Sequence, residues 1–262
     1  MRLGNPQCLS KSIVLITLLR GMNSLKQTIK HTLRSLGLEL HRFSPASSKN
    51  ARLMACLNHC GINMVLDIGA NEGQFGEELR AGGYKGGMVS FEPMADAHNK
   101  LLLRSRSDTQ WQVAVRSAIG ADRGMIELNV SANSVSSSVL PMLAAHTNAA
   151  PESAYSARET VPLLALDEAA APYVKATDDI LLKIDTQGYE WQVLDGAPKL
   201  ITRARAVLIE LSLVQLYGGQ HLWLECVARL ESAGFTLWAL EPVFVDLKNG
   251  RTLQMDGFFV RN

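Results

Sequence analysis

The chain has 262 residues, a hydrophobic fraction of 47% and a formal net charge of +1 at pH 7. This length fits one α/β domain with an extension, and the hydrophobic fraction is ordinary for a globular protein with a full core. A net charge this close to zero gives no electrostatic footprint for nucleic acid, so composition predicts that nucleic acid is not a partner. We divide the chain into an N-terminal extension, residues 1–50, and a main domain, residues 51–262.

The four cysteines are scattered and show no zinc-binding pattern. Cys56 and Cys60 are spaced for one face of a helix, and no His/Cys pair follows them. We interpret the cysteines as reduced side chains and expect no metal site. Reduced cysteines predict a cytoplasmic protein.

The N-terminal extension contains two segments with apolar residues. Residues 13–19 form an apolar run that is too short to span a bilayer, and no small-residue cleavage site follows it. Residues 25–40 interleave leucines with basic residues, which predicts a basic amphipathic helix broken near Gly37. Two interpretations stay open: the helix contacts an anionic membrane surface, or it packs on the domain with its polar face in solvent. Residues 43–50 are predicted to be a linker.

A strand, a tight turn and a helix are predicted in residues 63–75. The apolar strand carries one carboxylate, Asp67, and Gly69, Asn71 and Gly73 follow at alternate positions. Glycine and asparagine tolerate positive φ, so the backbone can approach a ligand closely, and the helix N-terminus offers free amides. Such turns occur in NAD enzymes, FAD enzymes and methyltransferases, and glycines also serve turn geometry alone.

An acidic residue ends the next predicted strand. Residues 87–91 are strand-like and are followed by Glu92 and Pro93. The proline lacks an N–H group and ends the strand. A carboxylate about twenty positions beyond a glycine turn suits the two hydroxyls of a ribose, because it accepts two hydrogen bonds at once.

The middle of the chain predicts less regular structure. Residues 111–115 form a third strand, with Ser117 and Ala118 beyond it, where a planar base fits. Residues 122–130 predict a turn and a half-exposed strand, which we expect to form a hairpin attached to the sheet. Residues 133–159 lack clear periodicity and predict either a lid or substrate loop, or a mobile surface loop.

A second polar cluster is predicted where a buried strand ends in residues 180–189. Lys183 and Asp185 lie two positions apart, so their side chains point to the same side of the strand. The next strand, residues 207–211, carries Glu210 near its end. Ligands bind at the carboxyl ends of strands in open α/β sheets, although ion pairing or helix capping would also explain single carboxylates. The carboxylates expected at this edge are Asp67, Glu92, Asp185 and Glu210.

The last part of the chain, residues 235–260, predicts strands joined by an antiparallel hairpin. A late antiparallel pair on an otherwise parallel sheet separates the methyltransferase layout from the all-parallel dehydrogenase layout.

Taken together, these segments resemble the FkbM family of S-adenosylmethionine-dependent methyltransferases. The resemblance rests on residues 65–73, the Phe-Glu-Pro at 91–93 and the Leu-Lys-Ile-Asp-Thr-Gln-Gly-Tyr-Glu at 182–190, in that order, and extends to the tail. It implies an α/β fold of class I, with a Rossmann-like, doubly wound sheet that is mostly parallel and ends in a C-terminal antiparallel hairpin. It also implies S-adenosyl-L-methionine as cofactor and O-methylation of a sugar, glycolipid or polyketide-like hydroxyl.

The resemblance and the residues together suggest roles. Asp185 is the first candidate for a base that takes the proton of the acceptor hydroxyl, with Glu210 and His221 in reserve. Lys183 is expected to tune Asp185 or to pair with it. The expected cofactor-binding residues are Asp67, Gly69, Ala70, Asn71, Gly73, Phe75, Glu92, Pro93, Ser117 and Ala118.

Two other functions stay open. A nicotinamide-dependent oxidoreductase would also use the turn and Glu92, but the second and third glycines of its fingerprint fall on Asn71 and Gln74. The other is a non-catalytic cofactor-binding protein with the same fold.

Overall fold

The structure, a computed structural model, describes residues 27–261. The chain divides into two units between Ser48 and Lys49. The apolar run at residues 13–19 and the first two residues of the predicted amphipathic helix lie outside the described residues.

In the first unit, residues 27–35 form helix α1. The predicted break is confirmed at Gly37, where φ is +73°, a left-handed conformation that ends helices. The prediction that the helix continues to residue 40 is wrong, because residues 38–40 are not helical. No described helix combines the length and the apolar character needed to cross a bilayer.

The second unit alternates helices and strands. The helices are α2 (Lys49–His59), α3 (Gln74–Ala81), α4 (Ala95–Ser105), α5 (Ala144–Ala149), α6 (Leu166–Ala170), α7 (Glu190–Asp195), α8 (Pro198–Arg203) and α9 (Trp223–Ser232), with a 3-10 turn at Pro151–Ser153. The strands are β1 (Met64–Ile68), β2 (Gly87–Phe91), β3 (Trp111–Val113), β4 (Ala118–Gly120), β5 (Gly124–Ser131), β6 (Tyr155–Ala165), β7 (Ile180–Ile184), β8 (Ala206–Ser212), β9 (Thr236–Val245) and β10 (Thr252–Val260).

Seven of the described strands form the main sheet, in the order β3-β2-β1-β7-β8-β10-β9. The first five of these pair in parallel, and β10 runs antiparallel to both β8 and β9. The predicted fold class, a mostly parallel sheet with a C-terminal antiparallel hairpin, is confirmed. Its carboxyl edge brings together turns that are far apart in sequence.

Helices cover both faces of the main sheet, because alternate side chains of each central strand point to opposite faces. Val65 and Leu181 pack with residues of α2 and α3 on one face. Leu66 and Leu182 pack with residues of α7, α8 and α9 on the other. Each fully buried side chain of this size contributes about 1.5–3 kcal/mol, so the two layers hold the strand ends rigidly.

The hairpin predicted at residues 122–130 is not attached to the main sheet. Strand β5 pairs antiparallel with β6, with Leu128 opposite Glu159, and β6 pairs in parallel with β4. Among the described residues these strands form a separate three-stranded sheet. Local alternation predicts a strand but not its partner, and here the partner lies about thirty residues downstream.

The prediction that residues 133–159 are irregular is wrong for their second half. Helix α5 and the 3-10 turn occupy most of residues 144–153, and β6 begins at Tyr155. The helix is short and rich in alanine, and most of the side chains in the first half of β6 are exposed. Neither element therefore has the apolar periodicity that a sequence pattern can report.

Candidate active site

A cleft of about 320 Å³ opens along the carboxyl ends of β1, β2 and β7. Its wall includes the turn after β1, the residues after β2 and β3, and the loop after β7. Ten of the predicted site residues line it: Gly69, Ala70, Asn71, Phe75, Glu92, Pro93, Ser117, Ala118, Lys183 and Asp185. Asp67, Gly73 and Glu210 are not part of the wall.

Gly69 allows the turn after β1 to contact the loop after β7. Its φ is +80°, and a Cβ atom there would lie 1.8 Å from the carbonyl oxygen of Asp185. Any other residue would therefore push the two loops apart. At Gly73 a side chain is excluded for a different reason, since a Cβ atom there would meet Leu101 and Trp111 in the core.

Glu92 is held rigidly at the end of β2. Its side chain is buried, and its two oxygens accept hydrogen bonds from the backbone amides of Asn71 at 2.8 Å and Met94 at 2.7 Å. Burial raises the pKa of Glu92 to about 7, although both hydrogen bonds act in the opposite direction. Each carboxylate oxygen can accept a second hydrogen bond, so the residue has room for the two hydroxyls of a ribose.

Asn71 gives a second sign that the cleft receives a polar ligand. The residue has a φ of +48°, and its side-chain nitrogen Nδ2 donates to Ser134 Oγ at 3.4 Å. Its side-chain oxygen Oδ1 is buried and has no hydrogen-bond partner among the described residues. A buried acceptor without a partner is costly, so a donor supplied by a ligand would stabilise this turn.

Lys183 connects the strands beneath the turn. Its Nζ lies 3.1 Å from Asp67 Oδ1 and 3.5 Å from Asp185 Oδ2, and donates to the carbonyl of Gly69 at 3.1 Å. Burial alone would lower the pKa of Lys183, but the charges of Asp67 and Asp185 outweigh it and raise the pKa. Lys183 therefore links β1, the end of β7 and the turn through two ion pairs and a hydrogen bond.

Removing the Lys183 ammonium group is expected to destabilise the fold. Lys183→Met leaves the buried Asp67 carboxylate uncompensated, so we expect the free energy of unfolding to fall by about 3–5 kcal/mol. Urea unfolding measures this change. The double variant Asp67→Asn/Lys183→Met removes both charges and should recover most of the loss; equal instability of the single and double variants would contradict the ion-pair explanation.

Asp185 lines the cleft, and one of its carboxylate oxygens accepts a hydrogen bond. Gln187 Nε2 donates to Asp185 Oδ1 at 2.8 Å, and the Asp185 side chain remains 35% exposed. The same nitrogen of Gln187 lies 2.9 Å from Glu210 Oε2. Asp185 is thus oriented by its neighbour and accessible from the cleft.

The two reserve bases lie elsewhere. Glu210 accepts from Gln187 and from Gln254, and burial, followed by the charge of Asp185, raises its pKa well above the usual value. The ring of His221 stacks on Trp191, and its Nδ1 lies 3.1 Å from Glu225 Oε1. Neither side chain lines the cleft.

The sequence patterns did not single out Gln187, although it lies within the segment of resemblance. Its φ of +52° turns the chain after β7, and its Oε1 accepts from Tyr217 at 2.8 Å. A glutamine has no sequence signal that separates a surface role from this one. Among the described residues, no group of three or more His, Cys, Asp or Glu side chains could hold a metal ion.

A family model for the methyltransferase FkbM domain matches residues 67–237, which is more than half of the chain. The chain belongs to the FkbM methyltransferase family. The match confirms the resemblance, and the protein is an S-adenosylmethionine-dependent methyltransferase. The two alternatives, a nicotinamide-dependent oxidoreductase and a non-catalytic protein, are therefore set aside.

Solved structures similar to this FkbM protein have low sequence identity to it. They include an rRNA methylase from Streptococcus thermophilus (12% identity, 85% of this chain and 99% of that chain, TM-score 0.45). A fibrillarin/Nop5p complex (14%, 84% and 84%, 0.46) and a SAM-dependent methyltransferase from Aquifex aeolicus (13%, 84% and 100%, 0.40) also match. A comparison with curated proteins finds no sequence match.

One prediction about partners needs correction. Net charge led us to exclude nucleic acid, but the matching structures include an enzyme described as an rRNA methylase. The exclusion is therefore wrong. The physical reason is that net charge averages over the whole surface, whereas an RNA substrate needs only a local basic region.

The pKa of Glu92 predicts that cofactor binding depends on pH. If Glu92 binds the ribose as expected, the ribose hydroxyls would donate to its carboxylate, and the ionised form should bind the cofactor more tightly. With a pKa of about 7 in the free protein, the affinity for S-adenosylhomocysteine should fall about tenfold between pH 8 and pH 6. Calorimetry measures this change, and Glu92→Gln should remove it. A pH-independent affinity of the unmodified protein would refute this role.

Proposed function

We propose that this FkbM protein transfers a methyl group from S-adenosylmethionine to a hydroxyl oxygen of a sugar, a glycolipid or a polyketide-like acceptor. The observation that carries the proposal is Asp185, a carboxylate that is held by Gln187 at 2.8 Å and is accessible from the cleft. An alcohol is a poor nucleophile at neutral pH, and a positioned base removes its proton as it reacts.

The wall of the cleft supports a division of labour among its residues. Glu92 would hold the ribose, and Ser117 and Ala118 would border the adenine ring. The turn at Gly69 and Asn71 would lie against the sulfonium end of the cofactor. The bound cofactor supplies an electrophilic methyl group. The chain contributes position, which accounts for much of the rate when two reactants must meet in line.

Asp185 would accept the hydroxyl proton while the acceptor oxygen bonds to the methyl carbon and the sulfur–methyl bond breaks. Lys183 Nζ, 3.5 Å from Asp185 Oδ2, would pair with the carboxylate and fix the position of that oxygen. Glu210 would act through Gln187 by fixing its amide, and would not contact the acceptor. The proton passes from Asp185 to solvent when the products leave.

Hydroxyl-bearing residues in the wall of the cleft support a hydroxylated acceptor. Ser134, Ser137 and Thr186 line the cleft and offer neutral groups that can donate and accept hydrogen bonds. Val135 and Val139, which belong to the same loop as Ser134 and Ser137, add apolar surface to the cleft. Hydroxyl and apolar contacts together suit the two faces of a sugar ring or a polyketide chain.

The decisive experiment is incubation of the purified protein with radiolabelled methyl donor and fractionated cell extract. Glycan, lipid, small-molecule and RNA pools are counted separately. Label in a glycan, lipid or polyketide-like pool, stable to alkali as a methyl ether, supports the proposal. Label confined to the RNA pool, or bound to a nitrogen or carbon atom, would overturn it.

A further inference from the structure

The cleft crosses the sheet beyond the residues assigned so far. Its wall also contains Lys49, at the start of α2, and Asp256, on β10. These two residues are about two hundred positions apart in the chain, and Lys49 Nζ lies 2.7 Å from Asp256 Oδ2. Neither belongs to the proposed nucleoside site or to the proposed base.

Strand order places this ion pair away from the nucleoside end. Ser117 follows β3, Glu92 ends β2, Gly69 follows β1, and Asp185 follows β7. Asp256 belongs to β10, which lies two strands beyond β7 in the sheet. Along the cleft, the residues expected at the adenine come first, then Glu92 at the ribose, then the turn after β1, and last the ion pair. A cofactor that extends along the cleft would therefore have its amino-acid end towards the ion pair.

Asp256 also shares a face of the sheet with Lys183. In the strand register, Lys183 lies opposite Leu208, and Asp256 lies opposite Glu210, two residues along the same strand. Residues two apart on a strand point to the same side. The ion pair and Lys183 are therefore neighbours on the face covered by α2 and α3.

Of the basic side chains that line the cleft in the described part of the chain, Lys49 has the greater capacity for a new anion. Lys183 has three N–H donors and three acceptors around it: Asp67, Asp185 and the Gly69 carbonyl. Lys49 is 38% exposed and pairs with Asp256, which leaves N–H donors for a further acceptor.

We propose that Lys49 binds the α-carboxylate of the methionine part of the cofactor and that Asp256 is the positioning residue that aims Lys49 into the cleft. Asp256 is suited to this because its side chain is only 15% exposed. The acidic side chains nearby, Glu78 and Asp185, would repel a purely anionic ligand. They favour the ammonium group of an amino acid, so the zwitterionic end as a whole fits. The proposal concerns the cofactor and does not depend on the acceptor.

Ligands that lack parts of the cofactor test the proposal. Lys49→Met is expected to weaken binding of S-adenosylhomocysteine about 10- to 100-fold, the effect of losing one charge-assisted contact. It should change the affinity for 5′-methylthioadenosine, which has no amino-acid end, less than about twofold. The unmodified protein should bind S-adenosylmethionine more tightly than its decarboxylated form, and Lys49→Met should remove this preference.

Calorimetry on the full chain measures these affinities, and further variants make the result specific. Lys49→Arg keeps the charge and should retain most of the affinity. Lys49→Met/Asp256→Asn guards against instability from the unpaired carboxylate and should bind as Lys49→Met does. Lys100→Met, which breaks an exposed ion pair to Glu72 of the same 2.7 Å length, is the matched control and should bind normally. Equal weakening of S-adenosylhomocysteine and 5′-methylthioadenosine by Lys49→Met would overturn the proposal, as would no weakening of either.

Discussion

Asp185→Asn is expected to lower the rate of methyl transfer about 10²- to 10⁴-fold, the usual contribution of a positioned base. The substitution keeps the shape of the side chain, and its Oδ1 can still accept from Gln187, which lies 2.8 Å away. The affinity for S-adenosylhomocysteine should therefore change less than about tenfold, so that kcat falls while cofactor binding persists. The measurement is initial rate with the labelled donor and the acceptor pool that takes up label.

Asp122→Asn is the matched control for this substitution. Asp122 is an exposed residue in the turn before β5 and does not line the cleft. The same chemical change there should leave the rate unaltered. If Asp185→Asn transfers methyl groups at the rate of the unmodified protein, the base has been assigned to the wrong residue, even though the fold and the cofactor would stand.

Gly69→Ala is expected to abolish cofactor binding and to destabilise the protein strongly. Its Cβ atom would lie 1.8 Å from the carbonyl oxygen of Asp185, which belongs to a backbone held by β7 and cannot move without disturbing the sheet. A positive φ adds about 1–2 kcal/mol of strain for alanine, and overpacking of this kind adds about 1–3 kcal/mol. We expect a total loss of about 2–5 kcal/mol in unfolding free energy, and affinity for S-adenosylhomocysteine too weak to measure by calorimetry.

Gly83→Ala separates the strain of a positive φ from the steric overlap with the loop after β7. Gly83 has a φ of +95°, and a Cβ atom there would meet no heavy atom within 4 Å. This variant should lose only the strain term, about 1–2 kcal/mol, and should bind the cofactor normally. Similar losses in the two variants would mean that the contact between the loops after β1 and β7 does not matter for stability.

Much of the main sheet follows from local patterns in the sequence. The strand predicted at residues 87–91 occurs with these bounds, and the strand predicted at the start of residues 63–75 spans Met64–Ile68. Both are short apolar runs bounded by glycine or proline, and central parallel strands need no other signal because both of their faces are buried. Resemblance added the fold class, a doubly wound and mostly parallel sheet, whereas the order of its strands came from the structure.

The small sheet could not be predicted in the same way. Strand β5 alternates as expected, but its partner β6 has a mostly exposed first half. A strand with little burial has little apolar pattern, so its pairing is decided by which surface the rest of the fold leaves available. The short helix α5 was not predicted for a related reason, since a six-residue segment rich in alanine shows no amphipathic pattern.

The candidate site was also predicted only in part from the sequence. Local sequence placed Glu92 and Asp185 at strand ends, and both line the cleft. The pattern also placed Glu210 at a strand end, but its carboxylate accepts from Gln187 and Gln254, outside the wall of the cleft. Position along a strand reports the edge of the sheet that a residue reaches. It does not report whether a neighbour lies between the side chain and the ligand.

The amino-acid sequence by itself determined the glycine turn, the strand ends and the family, because each depends on residues that are neighbours in the chain or on motifs in a fixed order. Only the tertiary structure decided that Lys49 meets Asp256, that Lys183 joins Asp67 to Asp185, and that Gln187 joins Asp185 to Glu210. Most of these contacts join elements that are far apart in the chain and adjacent in the folded sheet. Their partners are chosen by strand order and register, which no local pattern encodes.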